Sequence, residues 1–172
     1  MNTSNKEYKL QDLIKKTNQL KKDNKCIGFT NGCFDLLHKG HIHSISEAKK
    51  KCDFLIIAIN SDISVFKIKG SGRPIDNQFN RILKLSKLQD VDAIIVFYND
   101  NPLRLIKDIN PNILFKGADY KDKKIIGSKF IEENGGEVIL IDILDGLHDI
   151  LVNPWALNFT SPLNFFIFFS QS

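Results

Sequence analysis

Short apolar runs alternate with helical patterns along this chain, and that alternation constrains the fold more than any other feature. Five runs of strand length are rich in Ile, Val or Phe and are bounded by polar residues: 26–30, 54–60, 93–98, 113–116 and 137–141. Strands that are buried on both faces read as continuous apolar runs, whereas half-exposed strands alternate. The pattern therefore predicts a parallel sheet with its connections on both faces.

Helical patterns lie before and between these runs, at 10–20, 40–51, just after Asp62, 78–88, 102–109 and 123–134. Asn101-Pro102 predicts an N-cap followed by a proline at the first helical position, and Gly135 suits a left-handed C-cap. A chain of 172 residues has room for one such core. The predicted fold is α/β, a doubly wound, Rossmann-like, five-stranded parallel sheet with helices on both faces.

Three regions are predicted along the chain. Residues 1–24 contain an amphipathic helix that belongs to the domain, residues 25–150 form the domain itself, and residues 151–172 are an atypical apolar tail. Asn and Pro residues interrupt the tail, and a spanning helix needs roughly 20 predominantly apolar residues. We therefore expect no membrane anchor, and interpret the tail as loosely attached or bound to a partner.

Composition excludes some functions without naming one. The hydrophobic fraction of 42% and charged fraction of 26% are ordinary for a globular protein. The net charge of +4 comes from scattered lysines, which indicates no nucleic-acid partner but suits a phosphate-rich small ligand. Three cysteines without CxxC spacing, and no apolar leader, predict a cytoplasmic protein without disulfides or a zinc site.

The loop after the first predicted strand has the strongest chemical signal. Asn31-Gly32 permits a tight turn, and His38 and His41 fall at the start of the next helix, where backbone N–H groups and the helix dipole favour phosphate. Three residues apart, the two imidazoles can face one point. Gly40 lets a ligand approach the backbone. This pattern suits phosphoryl or nucleotidyl transfer, in which positioning and charge stabilisation dominate.

Other interpretations of the same loop remain open. His38 and His41 can be a helix cap and a packed histidine. Together with Cys33 they could bind a metal ion, although no further ligand cluster completes a tetrahedral set. Cys33 could be a nucleophile paired with His38, but no residue evidently orients that histidine. A small, buried role also suits Cys33.

The stretch 28–41 resembles the signature of the cytidylyltransferase-like superfamily of nucleotidyltransferases. Its segment 29–35, Phe-Thr-Asn-Gly-Cys-Phe-Asp, is especially similar to the adenylyltransferase domain of bifunctional heptose-phosphate enzymes. The resemblance extends over roughly residues 8–145, through further matching segments at 60–62, 69–74, Arg81, 91–92, Pro111 and 116–120.

This resemblance implies a reaction of ATP with D-glycero-β-D-manno-heptose 1-phosphate, with Mg²⁺, giving ADP-heptose and pyrophosphate for lipopolysaccharide core synthesis. It implies that His38, His41 and Lys69 are catalytic. The implied nucleotide-binding residues are Thr30, Asn31, Gly32, Cys33, Phe34, Gly40, Arg73, Arg81 and Asp119. No protein metal ligand is implied. A homodimer is compatible with it, because family members commonly self-associate.

Without the resemblance, the charged residues alone indicate a ligand less specifically. Two of the three arginines, Arg73 and Arg81, lie in the glycine-rich loop and the helix after it, and a guanidinium suits phosphate better than an ammonium does. Surface salt bridges are the alternative for Arg73, Arg81 and Lys69. Asp119 could equally cap a helix.

The sequence departs from the family's pattern near residue 146. Family members have a Gly-x-Ser-Thr-Thr motif there, whereas this chain has Gly146-Leu147-His148-Asp149-Ile150. No hydroxyl is present to bind phosphate, and Asp149 would repel it. Two alternative functions follow: a cytidylyltransferase acting on glycerol phosphate or a related compound, and a nucleotide-binding or interaction protein with impaired catalysis.

Overall fold

The computed structural model describes residues 5–99 and 101–142. In chain order the elements are α1 (Leu10–Lys22), β1 (Ile27–Gly32), α2 (Lys39–Lys49), β2 (Phe54–Asn60), α3 (Asp62–Lys69), α4 (Gln78–Ser86), β3 (Ala93–Phe97), α5 (Leu103–Ile109), β4 (Ile113–Gly117), a 3-10 turn (Ala118–Tyr120), α6 (Ser128–Glu133) and β5 (Glu137–Ile141). Five parallel strands with helices between them confirm the predicted fold class.

The sheet has the strand order β3-β2-β1-β4-β5, and all four pairings are parallel. The chain runs from β1 outward to β3, then crosses back so that β4 pairs with the other side of β1. The order therefore reverses between β1 and β4, which is where doubly wound sheets bind ligands at their carboxyl ends.

Two hydrophobic layers enclose the sheet. On one face α1, α5 and α6 pack through side chains such as Leu13, Ile106 and Ile131. On the other face α2 and α4 pack through residues such as Ile45 and Leu85. Successive strand residues alternate between the two layers, so the apolar runs are continuous because both faces are covered.

Several predicted boundaries were shifted by the structure. Helix α6 begins at Ser128 rather than 123, because the preceding residues turn and Gly127 adopts a left-handed conformation (φ 94°). Helix α5 begins one residue after Pro102, and the Asn101 side chain accepts a hydrogen bond from the Leu103 N–H. Gly135 is left-handed (φ 77°), as predicted for the C-cap.

The segment before α1 adds a contact that the sequence did not predict. The Ile94 N–H donates to the Lys6 carbonyl at 2.7 Å, and the Tyr8 N–H donates to the Ile94 carbonyl at 2.9 Å. Glu7 thereby forms a parallel bridge beside β3. This segment covers the amino-terminal part of an otherwise open sheet edge.

Two predictions fall on parts of the chain that are not described. The apolar tail 151–172 and the segment 146–150 both lie outside residues 5–99 and 101–142. Within those two ranges, no helix has the length and apolar character needed to cross a bilayer.

Candidate active site

A cavity of about 450 Å³ opens at the carboxyl ends of β1 and β4, where the strand order reverses. This volume is in the range of small-molecule sites. The β1 end and following loop, the first turns of α2, the β4 end with its 3-10 turn, and the end of β5 all contribute to the walls. The predicted residues Thr30, Asn31, Gly32, Cys33, Phe34, His38, Gly40, His41 and Asp119 line it.

The loop after β1 is shaped by Phe34. This residue has a left-handed backbone (φ 47°), which is uncommon for a bulky side chain. Its ring is buried and lies 5.1 Å from the His41 ring, centroid to centroid. The unusual backbone conformation thus places an apolar surface behind the imidazole.

His38 and His41 meet at the N-terminus of α2. Their rings stack with centroids 3.8 Å apart. His38 is the N-cap residue, and its Nδ1 accepts a hydrogen bond from the Gly40 N–H at 3.1 Å. A Cβ on residue 40 would lie 3.1 Å from the His38 ring, so Gly40 keeps this cap close. His38 is thus the helix cap, and it also lines the cavity.

Both imidazoles are held neutral by their surroundings. Burial lowers the pKa of His41 to about 4, and the adjacent His38 adds to that effect. The Leu36 carbonyl acts in the opposite direction on the pKa, although it forms no well-aligned hydrogen bond. The His41 Nδ1 is buried without a hydrogen-bond partner in the described structure. Burial and the nearby Lys69 lower the pKa of His38.

Lys69 is the last residue of α3 and Arg73 lies on the glycine-rich loop that follows, and neither lines the cavity. Both are drawn towards Asp35, which is 1% exposed: its carboxylate accepts from Arg73 Nη1 at 2.5 Å and lies 3.8 Å from Lys69 Nζ. The N–H groups of Ile75 and Asp76 also donate to it. Burial alone would raise the pKa of Asp35, but these donors hold it below its ordinary value.

Arg81 is placed differently from what a nucleotide contact would require. Its side chain is fully buried, and its Nη1 donates to the carbonyls of Cys33 and Asn60, each at 2.7 Å. Its other donors reach the Asp76 carbonyl and the Asp62 carboxylate. These contacts favour a positioning role over the predicted direct contact, because Arg81 holds the Cys33 backbone, which lines the cavity, against the end of β2.

The remaining alternatives can be compared with the geometry. Asp119 is exposed, makes no capping hydrogen bond, and lies 3.6 Å from Lys123. Burial raises the pKa of the Cys33 thiol, which does not favour a nucleophilic thiolate. No three His, Cys, Asp or Glu side chains converge on a metal position anywhere in residues 5–99 and 101–142.

One cation that lines the cavity was not predicted from the sequence as a site residue. Lys116 lies at the carboxyl end of β4, only 8% exposed, and its Nζ donates to Asn31 Oδ1 at 2.7 Å. It follows directly on the apolar run 113–115. That position is the signal that could have identified it, because a lysine is rarely buried without a structural or functional role. Asp35 was also not singled out, although it organises the glycine-rich loop.

The cytidylyltransferase-like family matches residues 29–144. The chain belongs to this family. The resemblance noted from the sequence is thus confirmed, and the matched range begins in β1 and includes every predicted site residue.

Individual relatives of this cytidylyltransferase-like chain are longer. Bifunctional protein HldE of Nitrobacter winogradskyi is 51% identical over 120 residues, which make up 70% of this chain and 25% of that protein. The protein of the same name from Mesorhizobium japonicum is 44% identical over 126 residues, or 73% of this chain and 25% of that protein. The chain therefore spans about a quarter of the length of these relatives.

Solved structures share the fold. The lipopolysaccharide core biosynthesis protein from Thermoplasma volcanium is 26% identical with a TM-score of 0.56, and the match covers 69% of this chain and 96% of that one. Pantoate-beta-alanine ligase from Francisella tularensis is 18% identical with a TM-score of 0.56, covering 80% of this chain and 66% of that one. The second likeness concerns the fold alone.

Proposed function

We propose that this chain is an adenylyltransferase that transfers AMP from ATP to a sugar 1-phosphate, D-glycero-β-D-manno-heptose 1-phosphate, and releases pyrophosphate. An oxygen of the sugar phosphate attacks the α-phosphorus of ATP. The new P–O bond forms as the bond between the α-phosphorus and the bridging oxygen breaks, and pyrophosphate leaves with that electron pair. Family membership supports nucleotidyl transfer, and the HldE relatives support the heptose acceptor.

The observation that carries this proposal is the stacked His38–His41 pair at the N-terminus of α2, facing a cavity at the strand-order reversal. Because His38 Nδ1 accepts the Gly40 N–H, the proton of the neutral ring is on Nε2, which is then a hydrogen-bond donor. The His41 Nδ1 is buried and has no hydrogen-bond partner among the described residues. Two imidazoles and the helix N-terminus thus supply donors for phosphate oxygens.

Catalysis by this arrangement rests on donors that are already in place. Charge develops on the oxygens around the α-phosphorus during in-line displacement, and fixed donors stabilise it without reorganisation. Both histidines are neutral near pH 7, so they are available to share a proton with a phosphate oxygen as its charge rises. No protein nucleophile is needed.

Lys69, at the end of α3, and Arg73, in the glycine-rich loop that follows, belong to this proposal as cations. In the structure they lie within ion-pair distance of Asp35. We assign them to the triphosphate or the sugar phosphate, because both side chains are partly exposed and Lys69 is close enough to His38 to lower its pKa. Asp35 would then orient them.

Magnesium fits the proposal as part of the ATP substrate. Mg²⁺ keeps several waters and is commonly bound through substrate phosphates and one or two carboxylates, so a protein cage is not required. The chemistry it supplies when bound is neutralisation of phosphate charge.

The test is a pyrophosphate-release assay with ATP and the heptose 1-phosphate. His41→Ala should lower turnover by roughly 10²–10³-fold, because one preorganised donor to the transferred phosphate is lost. Its urea midpoint should stay near that of the wild type, because the removed ring leaves no buried partner behind.

His43→Ala is the matched control, since His43 is on the same helix and does not line the cavity. It should keep wild-type turnover. An equal loss of stability and activity in the His41 variant would instead support a packing role for His41. No release from the wild type with any nucleotide and acceptor would reject the enzyme proposal.

Two alternatives have specific support. The segment 146–150 has no hydroxyl pair, which favours a nucleotide-binding protein with impaired catalysis. Calorimetric binding of ATP without pyrophosphate release would identify that function. The family's name makes cytidylyl transfer the other alternative, and CTP with glycerol 3-phosphate in the same assay distinguishes it.

A further inference from the structure

Lys116 is a buried cation that the proposed reaction leaves without a role. It is the second-last residue of β4, beside Asn31 of β1, and it lines the cavity. Its Nζ donates to Asn31 Oδ1 at 2.7 Å and to the Asn31 carbonyl at 3.3 Å. Both acceptors belong to one residue and both are neutral. An ammonium has three donors, so these contacts leave at least one without an acceptor in the described structure.

No carboxylate in the described ranges lies within ion-pair distance of Lys116. The charged group that acts on it is Asp119, on the 3-10 turn, whose effect favours the protonated amine. The Tyr120 ring lies 5.1 Å from Nζ, and Lys123 lies over the same ring. The titratable groups that α2 and its N-cap present to the cavity are the neutral imidazoles of His38 and His41. Burial outweighs Asp119 and lowers the pKa of Lys116 to about 8.

Packing alone does not account for a lysine at this position. A buried ammonium that has no opposite charge is destabilising, and an apolar side chain of similar volume would continue the β4 run without that cost. Within the described ranges Lys116 has no such opposite charge. Its ammonium borders a cavity that already presents two imidazoles and a helix N-terminus to an anion. The simplest source of that charge is the ligand.

We propose that Lys116 is a ligand-binding residue whose ammonium pairs with a phosphate group of a substrate bound in the cavity. This rests on the proposed function for the identity of the ligands, which are phosphate esters. The phosphate belongs either to ATP or to the sugar 1-phosphate, and the chemistry of recognition is the same for both.

Calorimetric titration of the full chain tests the proposal with three probes: ATP with Mg²⁺, adenosine, and glucose 1-phosphate. Lys116→Met should weaken binding of ATP or of glucose 1-phosphate by roughly 10- to 150-fold, the range for a charge-assisted hydrogen bond. Adenosine, which has no phosphate, should bind both proteins equally. The probe that weakens identifies the source of the phosphate.

Two further variants control the result. Lys124→Met removes the same charge from an exposed position outside the cavity lining and should leave all three affinities unchanged. Lys116→Arg retains a positive charge and should keep most of the affinity. The thermal midpoint of Lys116→Met should equal or exceed that of the wild type, because a buried charge has been removed.

Proton uptake on ligand binding distinguishes a phosphate-binding lysine from a structural one. At pH 8 about half of the Lys116 amines are neutral, and pairing with phosphate favours the charged form. Wild-type protein should therefore take up close to half a proton on binding, measured in buffers of different ionisation enthalpy. Lys116→Arg should lose that uptake, because arginine stays protonated.

Each outcome bears on the proposal. Unchanged affinities in Lys116→Met, an equal loss of adenosine binding, or no binding of either phosphate probe to the wild type would overturn it. If the wild type releases pyrophosphate while Lys116→Met binds normally, the proposed function stands and Lys116 does not bind phosphate. If Lys116→Met weakens phosphate binding but the wild type releases no pyrophosphate, Lys116 binds phosphate and the proposed function fails.

Discussion

The environment of His41 links the chemistry of the site to the stability of the fold. Burial lowers the pKa of this imidazole from its ordinary 6.5 to about 4. Between these two values the unfolded chain binds a proton that the folded chain does not. Stability should therefore fall as the pH is lowered through that window, by roughly 2–3 kcal/mol in total.

Urea unfolding at a series of pH values from 7 to 4 measures this effect. His41→Gln cannot titrate and should show a shallower decline than the wild type over that range. The same substitution at His43, outside the cavity, is the matched control. Parallel curves for wild type and His41→Gln would contradict the assigned pKa.

Single residues of the site were predicted from the sequence to different degrees. The spacing of His38 and His41 was enough to suggest that the two imidazoles meet, although His38 is the extended N-cap residue of α2 and not part of its first turn. Arg81 was interpreted as a phosphate contact, yet its guanidinium donates to backbone carbonyls that meet only in the folded chain. Lys116 was not predicted as a site residue for a related reason, since the absence of a charged partner within the described ranges is a property of the folded chain.

Elements around the cavity are joined by Arg81. It connects the end of β1 and the following loop, the end of β2, the start of α3 and the residues before α4. Arg81→Leu should lower the free energy of unfolding by about 3 kcal/mol, because buried carbonyls lose their donors. The Asp62 contact adds little, since that side chain is 43% exposed.

Arg104→Leu is the control for the Arg81 variant. Its side chain is exposed and its only close acidic contact in the described ranges is Asp108, at 4.0 Å. The change should cost less than about 0.5 kcal/mol. Equal unfolding free energies for the two variants, measured in urea, would show that the Arg81 contacts do not support the fold.

Element type followed from the sequence more reliably than element limits. All five strands were predicted because each is a short run of mostly apolar residues bounded by polar ones. The early start predicted for α6 came from an amphipathic pattern that continues into a turn, where Gly127 breaks it. The Lys6–Tyr8 pairing with β3 could not be predicted, because that segment has too few apolar residues to read as a strand.

Burial differs strongly between the strands of the sheet, and β5 is the most exposed of the five. Every residue of β2 after Phe54 is buried, whereas β5, at one edge, has two exposed and two partly exposed residues. Hydrogen exchange followed by mass spectrometry should show peptides of β2 exchanging roughly 100-fold more slowly than those of β5. Similar protection of the two strands would indicate that β5 is covered in solution.

Topology was the part of the whole-molecule prediction that located the site. Alternating strands and helices predicted a doubly wound sheet, and that class binds ligands where strand order reverses. The order itself was not predictable, because nothing in the residues of β4 specifies pairing with β1 rather than β3. The structure supplies that pairing, and with it the cavity between β1 and β4.

The two ends of the described chain leave the sheet in different places. The Lys6–Tyr8 segment runs beside the beginning of β3, at one edge and towards the amino ends of the strands. Ile141 ends β5 at the opposite edge and lines the cavity. A purification tag or fused protein attached before residue 5 therefore starts on the far side of the sheet from the opening. One attached directly after residue 142 would start at its rim, so a fusion before residue 5 disturbs access to the cavity less.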